Sequence, residues 1–252
     1  MMVLRAIIIS YFLLGLSMPA SAQDNVLVAD VSQENVAITT TFHGTQLLLF
    51  GALSGEAGDD LIVVISGPEG QVATRRKEKV GGIWINTQSV IWKNAPSYYQ
   101  IFTTRPLSQI ADNQTLRTMR VGYQNLQLRT QPTDIAKDQL NGPWKDALAR
   151  TMGAADLWKT QEDGVSVISG ALFRVTVPLP KNIRPGDYDV RILHLRDGVL
   201  LAENDSAITV AKSGIGALIY RFAHDYSIFY GIFAVLFAVA SGWLAAVAFR
   251  RG

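Results

Sequence analysis

LIVVISGP, residues 61–68, is the stretch on which the fold turns. Leu61–Ile65 is a short continuous apolar run, the pattern of a buried strand. Ser66-Gly67-Pro68 ends it with turn chemistry. Upstream, GEAGDD (55–60) reads as a polar turn. Before that, Ala37–His43 (AITTTFH) sets Ile38, Thr40 and Phe42 on one strand face among β-branched threonines. Gly44 breaks the run, and an apolar strand resumes from Leu47 as LLLFGAL.

Downstream, Ile83–Thr104 holds two strands separated by Pro96, because proline lacks the ladder donor. Pro106 closes that block. Strand character returns in VSVISGALFRVTVPLP (165–180) and in PGDYDVRILHL (185–195), where Tyr188, Val190 and Ile192 alternate against Asp189 and Arg191. Asp197-Gly198 is a hairpin signal leading into Val199–Lys212. Tyr188, just after Pro185-Gly186, resembles the tyrosine corner of immunoglobulin-like domains.

The middle is different. Ser108 is placed to cap a short helix through Met119. Asn141-Gly142-Pro143 starts another, with Trp144, Ala147, Leu148, Thr151, Met152 and Ala155 at helical spacing. Short strands between Gly, Pro and Asp turns predict a mainly β chain: an immunoglobulin-like β-sandwich over 23–212 with a helical insertion at about 106–160. Two small sandwiches with a helical joint are the alternative.

The composition is apolar, 48 % hydrophobic and 17 % charged, and the two ends account for it. Residues 1–22 carry Arg5, an uncharged run over Ala6–Leu16 and a small-residue Ala20-Ser21-Ala22 site, the pattern of a cleaved signal peptide. At the other end, Tyr226–Phe249 has 24 residues without a formal charge. A helix of that length reaches about 36 Å and spans a bilayer. The span is assigned to 228–249, after a juxtamembrane amphipathic segment at 213–227. Arg250 and Arg251 in the tail 250–252 put the C-terminus in the cytoplasm. The expectation is a single-pass inner-membrane protein whose N-terminal domain lies in the periplasm. Within the span, Ala234, Ala238, Gly242 and Ala246 form a small-residue packing stripe.

Chemistry is sparse. There is no cysteine, which removes thiolate ligands and thiol nucleophiles. His43, His194 and His224 have no partner at metal-ligand spacing, and Asp59-Asp60 reads as a solvated carboxylate pair. No cofactor motif is present. Without its two ends the chain carries 20 basic and 21 acidic residues, so nucleic-acid binding has no electrostatic support. The charge is segregated, though. Residues 24–70 hold seven acidic and no basic residues, and residues 75–130 hold nine basic and two acidic ones. At their border lies GGIWINTQSVIWKNAPSYYQIF (81–102). The candidate interaction residues are Arg75, Arg76, Lys77, Trp84, Trp92, Tyr98 and Tyr99. Adjacent strand tyrosines point to opposite faces, so Tyr98 and Tyr99 divide between two environments. The stretch is a binding surface only if Trp84 and one tyrosine face out beside the basic run.

LLLFGA (47–52), GIWIN (82–86), APSYY (95–99), LFRVTVPLP (172–180), PGDYDV (185–190) and YGIFAV followed by Gly242-Trp243 together resemble an alphaproteobacterial family described as putative transmembrane proteins. The resemblance covers essentially the whole chain and brings no catalytic residues. It implies a permease of sulfite-exporter type as a partner. The expected function is therefore a non-enzymatic periplasmic accessory or assembly protein, anchored in the inner membrane and serving a transporter. A periplasmic module for an anionic or carbohydrate ligand is the alternative, and a hydrolase with dispersed carboxylates ranks last. The oligomeric state stays open at this point.

Overall fold

A computed structural model describes residues 26–56, 58–169, 171–213, 220 and 222–250. The signal-peptide reading of 1–22 lies outside the described residues, as does the amphipathic pattern over 214–219.

The strands are β1 (Leu27–Val31), β2 (Asn35–Ile38), β3 (Gly44–Leu53), β4 (Asp60–Ser66), β5 (Glu69–Val80), β6 (Ile83–Pro96), β7 (Tyr99–Thr103), β8 (Trp158–Gln161), β9 (Val165–Ile168), β10 (Leu172–Pro180), β11 (Gly186–Arg196) and β12 (Val199–Lys212). They form a four-stranded sheet β1-β3-β10-β9, a six-stranded sheet β2-β12-β11-β4-β7-β8, and a separate two-stranded ribbon β5-β6. Strands from before Pro106 and after Val165 share both large sheets: β3 pairs with β10, and β4 with β11.

The six-stranded sheet is covered on both faces, which explains LIVVI. Leu61, Val63 and Ile65 point into a core shared with Leu47, Leu49, Phe173 and Val175 of the four-stranded sheet. Ile62 and Val64 point the other way, into a second core with Ile110, Leu116, Trp144 and Leu148 of the helical insertion. A strand buried on both sides has no polar face to alternate with. Tyr98 and Tyr99 divide in the same way, Tyr98 into the first core and Tyr99 into the second.

The insertion contains α1 (Leu107–Ile110), α2 (Asn113–Thr118), a turn α3 (Lys137–Gln139) and α4 (Lys145–Ala154). The expected helix from Ser108 to Met119 is two short helices. Ala111 is extended, and the Asp112 side chain accepts from the Thr115 N–H at 2.7 Å, capping a new start. The second helix also begins later than Asn141-Gly142-Pro143. Gly142 has φ −112° and ψ −105°, so Leu140–Trp144 is a wide kinked turn and regular helix starts at Lys145. The buried Lys145 ammonium donates to the carbonyl oxygens of Gln124 and Leu126 at 2.8 and 2.7 Å, tying the preceding loop to α4. Burial holds its pKa below the usual lysine range.

Two-residue turns close the two long hairpins. Gly81-Gly82 and Asp197-Gly198 have positive φ at both positions, as the twist of two-residue hairpins requires. Tyr188 donates its hydroxyl to the Arg184 carbonyl at 2.6 Å and meets Tyr98 edge-on at 5.8 Å. Tyr188→Phe removes a bond worth about 1 kcal/mol, for an expected fall in Tm of about 2–4 °C. Thermal melts of the detergent-solubilised chain check this.

Helix α5 (Ser227–Phe249) completes the described chain, and Ser227–Val247 is long and apolar enough to cross a membrane.

Candidate interaction surface

The β5-β6 ribbon stands apart from both sheets. Its root is pinned to the insertion: Trp92 is buried and donates its indole N–H to Thr74 Oγ1 at 2.9 Å. Asn94 accepts from the Arg129 N–H at 2.6 Å and donates to the Gln127 carbonyl at 3.0 Å, and Trp92 bridges to Thr130. The Arg76 guanidinium lies 5.6 Å from the centre of the Trp144 ring and donates to Gln88 Oε1. Beyond Arg76, from Lys77 round the turn to Ser89, every ribbon residue is exposed. Trp84 is 66 % exposed and Ile83 69 % exposed.

Strand β6 has 14 residues against 12 in β5, and the register shifts between Gly70 and Val72 and between Arg76 and Lys77. Each shift is an extra β6 residue that raises the local twist. The second shift breaks strict alternation at Thr87. Lys79 is opposite Trp84, Lys77 opposite Asn86 and Arg75 opposite Ser89, while Glu78 is opposite Ile85 and Val80 opposite Ile83. Cross-strand partners share a face. One side of the outer ribbon therefore carries Arg75, Lys77, Lys79, Trp84 and Asn86, and the other carries Glu78, Val80, Ile83 and Ile85.

Two corrections follow for the sequence-derived residues. Trp92, Tyr98 and Tyr99 are buried core residues away from the exposed part of the arm, and Tyr99 lines the groove beside the insertion. Tyr98 donates its hydroxyl to the Pro178 carbonyl at 2.7 Å, and Tyr99 Oη accepts from the Gly122 N–H at 3.1 Å. Burial pushes the Tyr99 hydroxyl pKa up to about 12. Arg76 is occupied at the root. Of the seven residues, Arg75, Lys77 and Trp84 share one exposed face of the ribbon, with Trp84 at the tip and Arg75 level with the root. Lys79, Val80, Ile83 and Ile85 belong with them. Their signal was Gly81-Gly82, a hairpin turn centred on the apolar residues.

Asp59 and Asp60 are not a solvated pair. Asp60 accepts from Arg105 Nε at 2.8 Å and Nη2 at 2.6 Å, and from Thr104 Oγ1 at 2.9 Å. Asp59 accepts from Arg196 Nε at 2.6 Å and Nη2 at 2.9 Å, and from the Glu56 N–H at 2.9 Å. The wholly buried His194 sets its Nε2 2.8 Å from Asp59 Oδ2, and its Nδ1 has no hydrogen-bond partner among the described residues. The Asp60–Arg105 pair joins the acidic and basic stretches of the sequence. Among the described residues no group of three His, Asp or Glu side chains is arranged to hold a metal ion. A groove beside the insertion, lined by Tyr123, Asp146, Arg150, Trp158 and Lys159, has a volume of about 510 Å³.

Ala234, Ala238, Gly242 and Ala246 all lie on the exposed surface of α5. A four-residue step advances about 400° at 3.6 residues per turn, so their line winds slowly around the helix.

The geometry is thus a two-core β domain with a projecting arm and a C-terminal apolar helix. The family model described as "Putative transmembrane protein (Alph_Pro_TM)" matches residues 26–251. The chain belongs to this family. The match covers both sheets, the insertion, the arm and α5, the one helix among the described residues that is long and apolar enough to cross a membrane. No curated protein and no solved structure matches the chain.

Proposed function

We propose that this family member is a non-enzymatic accessory or assembly protein of the inner membrane, with an immunoglobulin-like β-sandwich held in the periplasm and the arm presented to a multi-span membrane protein such as a permease. The sandwich reading is supported by strand order. In immunoglobulin lettering β1, β3, β10 and β9 correspond to A, B, E and D, and β12, β11, β4 and β7 to G, F, C and C′. The Tyr188–Arg184 bond matches a tyrosine corner. The periplasmic orientation is supported by Arg250 and Arg251 directly after the span and by the signal-peptide pattern.

The observation that carries the functional reading is the arm tip. It holds exposed Val80, Ile83, Trp84 and Ile85, backed by Arg75, Lys77 and Lys79, which make no ion pair with the described residues. Trp and Arg beside aliphatic residues are the composition of interface anchors. The arm is also rooted at the membrane side of the domain. Ser66 pairs with Asp189 and Gly186 with Val210, so β4 leads into the arm at the end of the sheet where β12 leads toward α5. At about 3.3 Å per residue the arm reaches roughly 40 Å from that root.

A photoreactive phenylalanine analogue in place of Trp84, in the full chain in its native membrane, tests this. The expected product is an adduct with a multi-span membrane protein, lost when Lys77 and Lys79 are both changed to Glu. Adducts with lipid alone, or with soluble proteins alone, overturn the proposal.

A further inference from the structure

The outer face of the four-stranded sheet carries a second surface, independent of the arm. Inward residues of β1, β3, β10 and β9 fill the first core, and the outward ones form cross-sheet rows fixed by register. One row is Val28, Ala52, Leu172 and Ile168, and the next is Asp30, Phe50, Arg174 and Ser166. Leu48 follows Phe50 on the same side of β3. Val28 is 58 %, Leu172 53 %, Ile168 44 % and Phe50 42 % exposed. A contiguous apolar sheet face of this kind marks an interaction surface. Within it the Arg174 side chain makes neither a hydrogen bond nor an ion pair with the described residues. Among the described residues the Asp30 carboxylate accepts only from the adjacent Val31 N–H, at 2.7 Å.

We infer that this face binds the same face of a second copy of the chain, about a two-fold axis running along β3. Asp30 and Arg174 flank Phe50 on opposite sides, one on β1 and one on β10. Two sheets meeting face to face have two simple two-fold axes in the plane between them. The axis across the strands sets Asp30 against Asp30 of the other copy, a like-charge contact that opposes association. The axis along β3 exchanges β1 with β10, so each Asp30 faces the other copy's Arg174 and the two Phe50 rings meet at the centre. The second constraint is the membrane. Strand β2 follows β1 after a short kink and runs parallel to β12, so β1 points toward the end where β12 leads to α5. An axis along the strands keeps both copies' membrane helices at one end of the pair. The axis across the strands sends them to opposite ends, which a single bilayer forbids. Charge and anchorage select the same axis.

The patch measures about 20 Å by 20 Å from strand spacing and rise. That is below the roughly 800 Å² per partner of a standard stable interface. The pair therefore depends on both copies being held in one membrane, where tethering raises their effective concentration.

The chain has no cysteine, so one introduced thiol reports only on its own counterpart. Ala52→Cys sits on β3, next to the proposed axis. In membranes it is expected to form a covalent dimer with a bis-thiol reagent of about 10 Å span, the distance between stacked sheets. Ser166→Cys, on the outer strand β9, is not. Asp30→Arg or Arg174→Asp in the Ala52→Cys background is expected to cut the dimer yield about fivefold. The two changes together restore it, since the exchanged charges again face each other. Both side chains are exposed, and unchanged thermal melts confirm that the variants fold. Failure of Ala52→Cys to dimerise, attachment to a different polypeptide, or single charge variants with undiminished yield overturn the inference.

Discussion

Trp92→Ala is expected to destabilise the protein by about 3–5 kcal/mol, the range for emptying a buried tryptophan site. Trp92 is 2 % exposed and lies where the arm, the loop at Thr130 and the second core meet. The indole also donates to Thr74 Oγ1, so truncation leaves that hydroxyl, on a residue only 5 % exposed, without its donor. The consequence extends beyond global stability. With its root loosened, the arm opens locally before the sheets do, and trypsin cleavage after Arg75 and Arg76 accelerates relative to the rest of the chain. Trp92→Phe keeps most of the packing and loses only the hydrogen bond, for an expected cost of about 1–2 kcal/mol. Urea unfolding of the detergent-solubilised protein gives the magnitude. Timed proteolysis shows whether the arm opens first, and equal acceleration at all sites would refute the local pathway.

Asp59→Asn carries the second large effect, about 3 kcal/mol, as expected for breaking a buried charged hydrogen-bond network. The Arg196 guanidinium holds the Asp59 carboxyl well below the usual carboxylate range. Burial works against it, and the Glu56 N–H and His194 add to the lowering. An amide in this position turns a donor toward groups that already donate. His194 is also left wholly buried without its Asp59 contact. The lowered folded pKa fixes the direction of the pH dependence. Its stabilising contribution is complete well above the ordinary aspartate value of 3.8 and is lost as pH falls below it toward the folded pKa. The urea midpoints of wild type and Asp59→Asn should therefore differ most near neutral pH and converge below about pH 4. A constant gap from pH 7 to pH 3 would refute this role.

Much of the fold was legible because apolar pattern and turn chemistry agreed. LIVVI, the Asp197-Gly198 turn and the alternation through Tyr188, Val190 and Ile192 each led to the strands observed. The arm was harder to read. Its root looks like any strand pair, and nothing local in RRKEK or GGIWIN says that the ribbon leaves the sheet. Faces could not be counted along the arm because one extra residue in β6 reverses which side chains share a face, and alternation does not detect a bulge. The aromatics misled for a related reason. A sheet covered on both sides buries both members of a Tyr-Tyr pair, and the covering layer for Tyr99 comes from the insertion rather than from its own neighbourhood. Asp59-Asp60 read as solvated because the partners Arg105 and Arg196 are far away in sequence. The outer face of the four-stranded sheet was written in LLLF, where an unbroken apolar run looks buried on both sides but one side is left open.

The parallel pairing of β2 with β12 sets Asn35 beside Thr209, so nearly the first strand made is completed by the very last. Chains dominated by such distant contacts fold slowly, and here the delay is tied to synthesis. Until Val199–Lys212 has emerged, β2 has no neighbour and β11 lacks one of its two. Both are open edges of the kind that recruit other chains. The segment that closes them ends at Lys212, shortly before α5 begins at Ser227, so the domain is completed only when nearly the whole chain has been made. A nascent chain interrupted anywhere upstream keeps both edges open, a state exposed to aggregation and proteolysis.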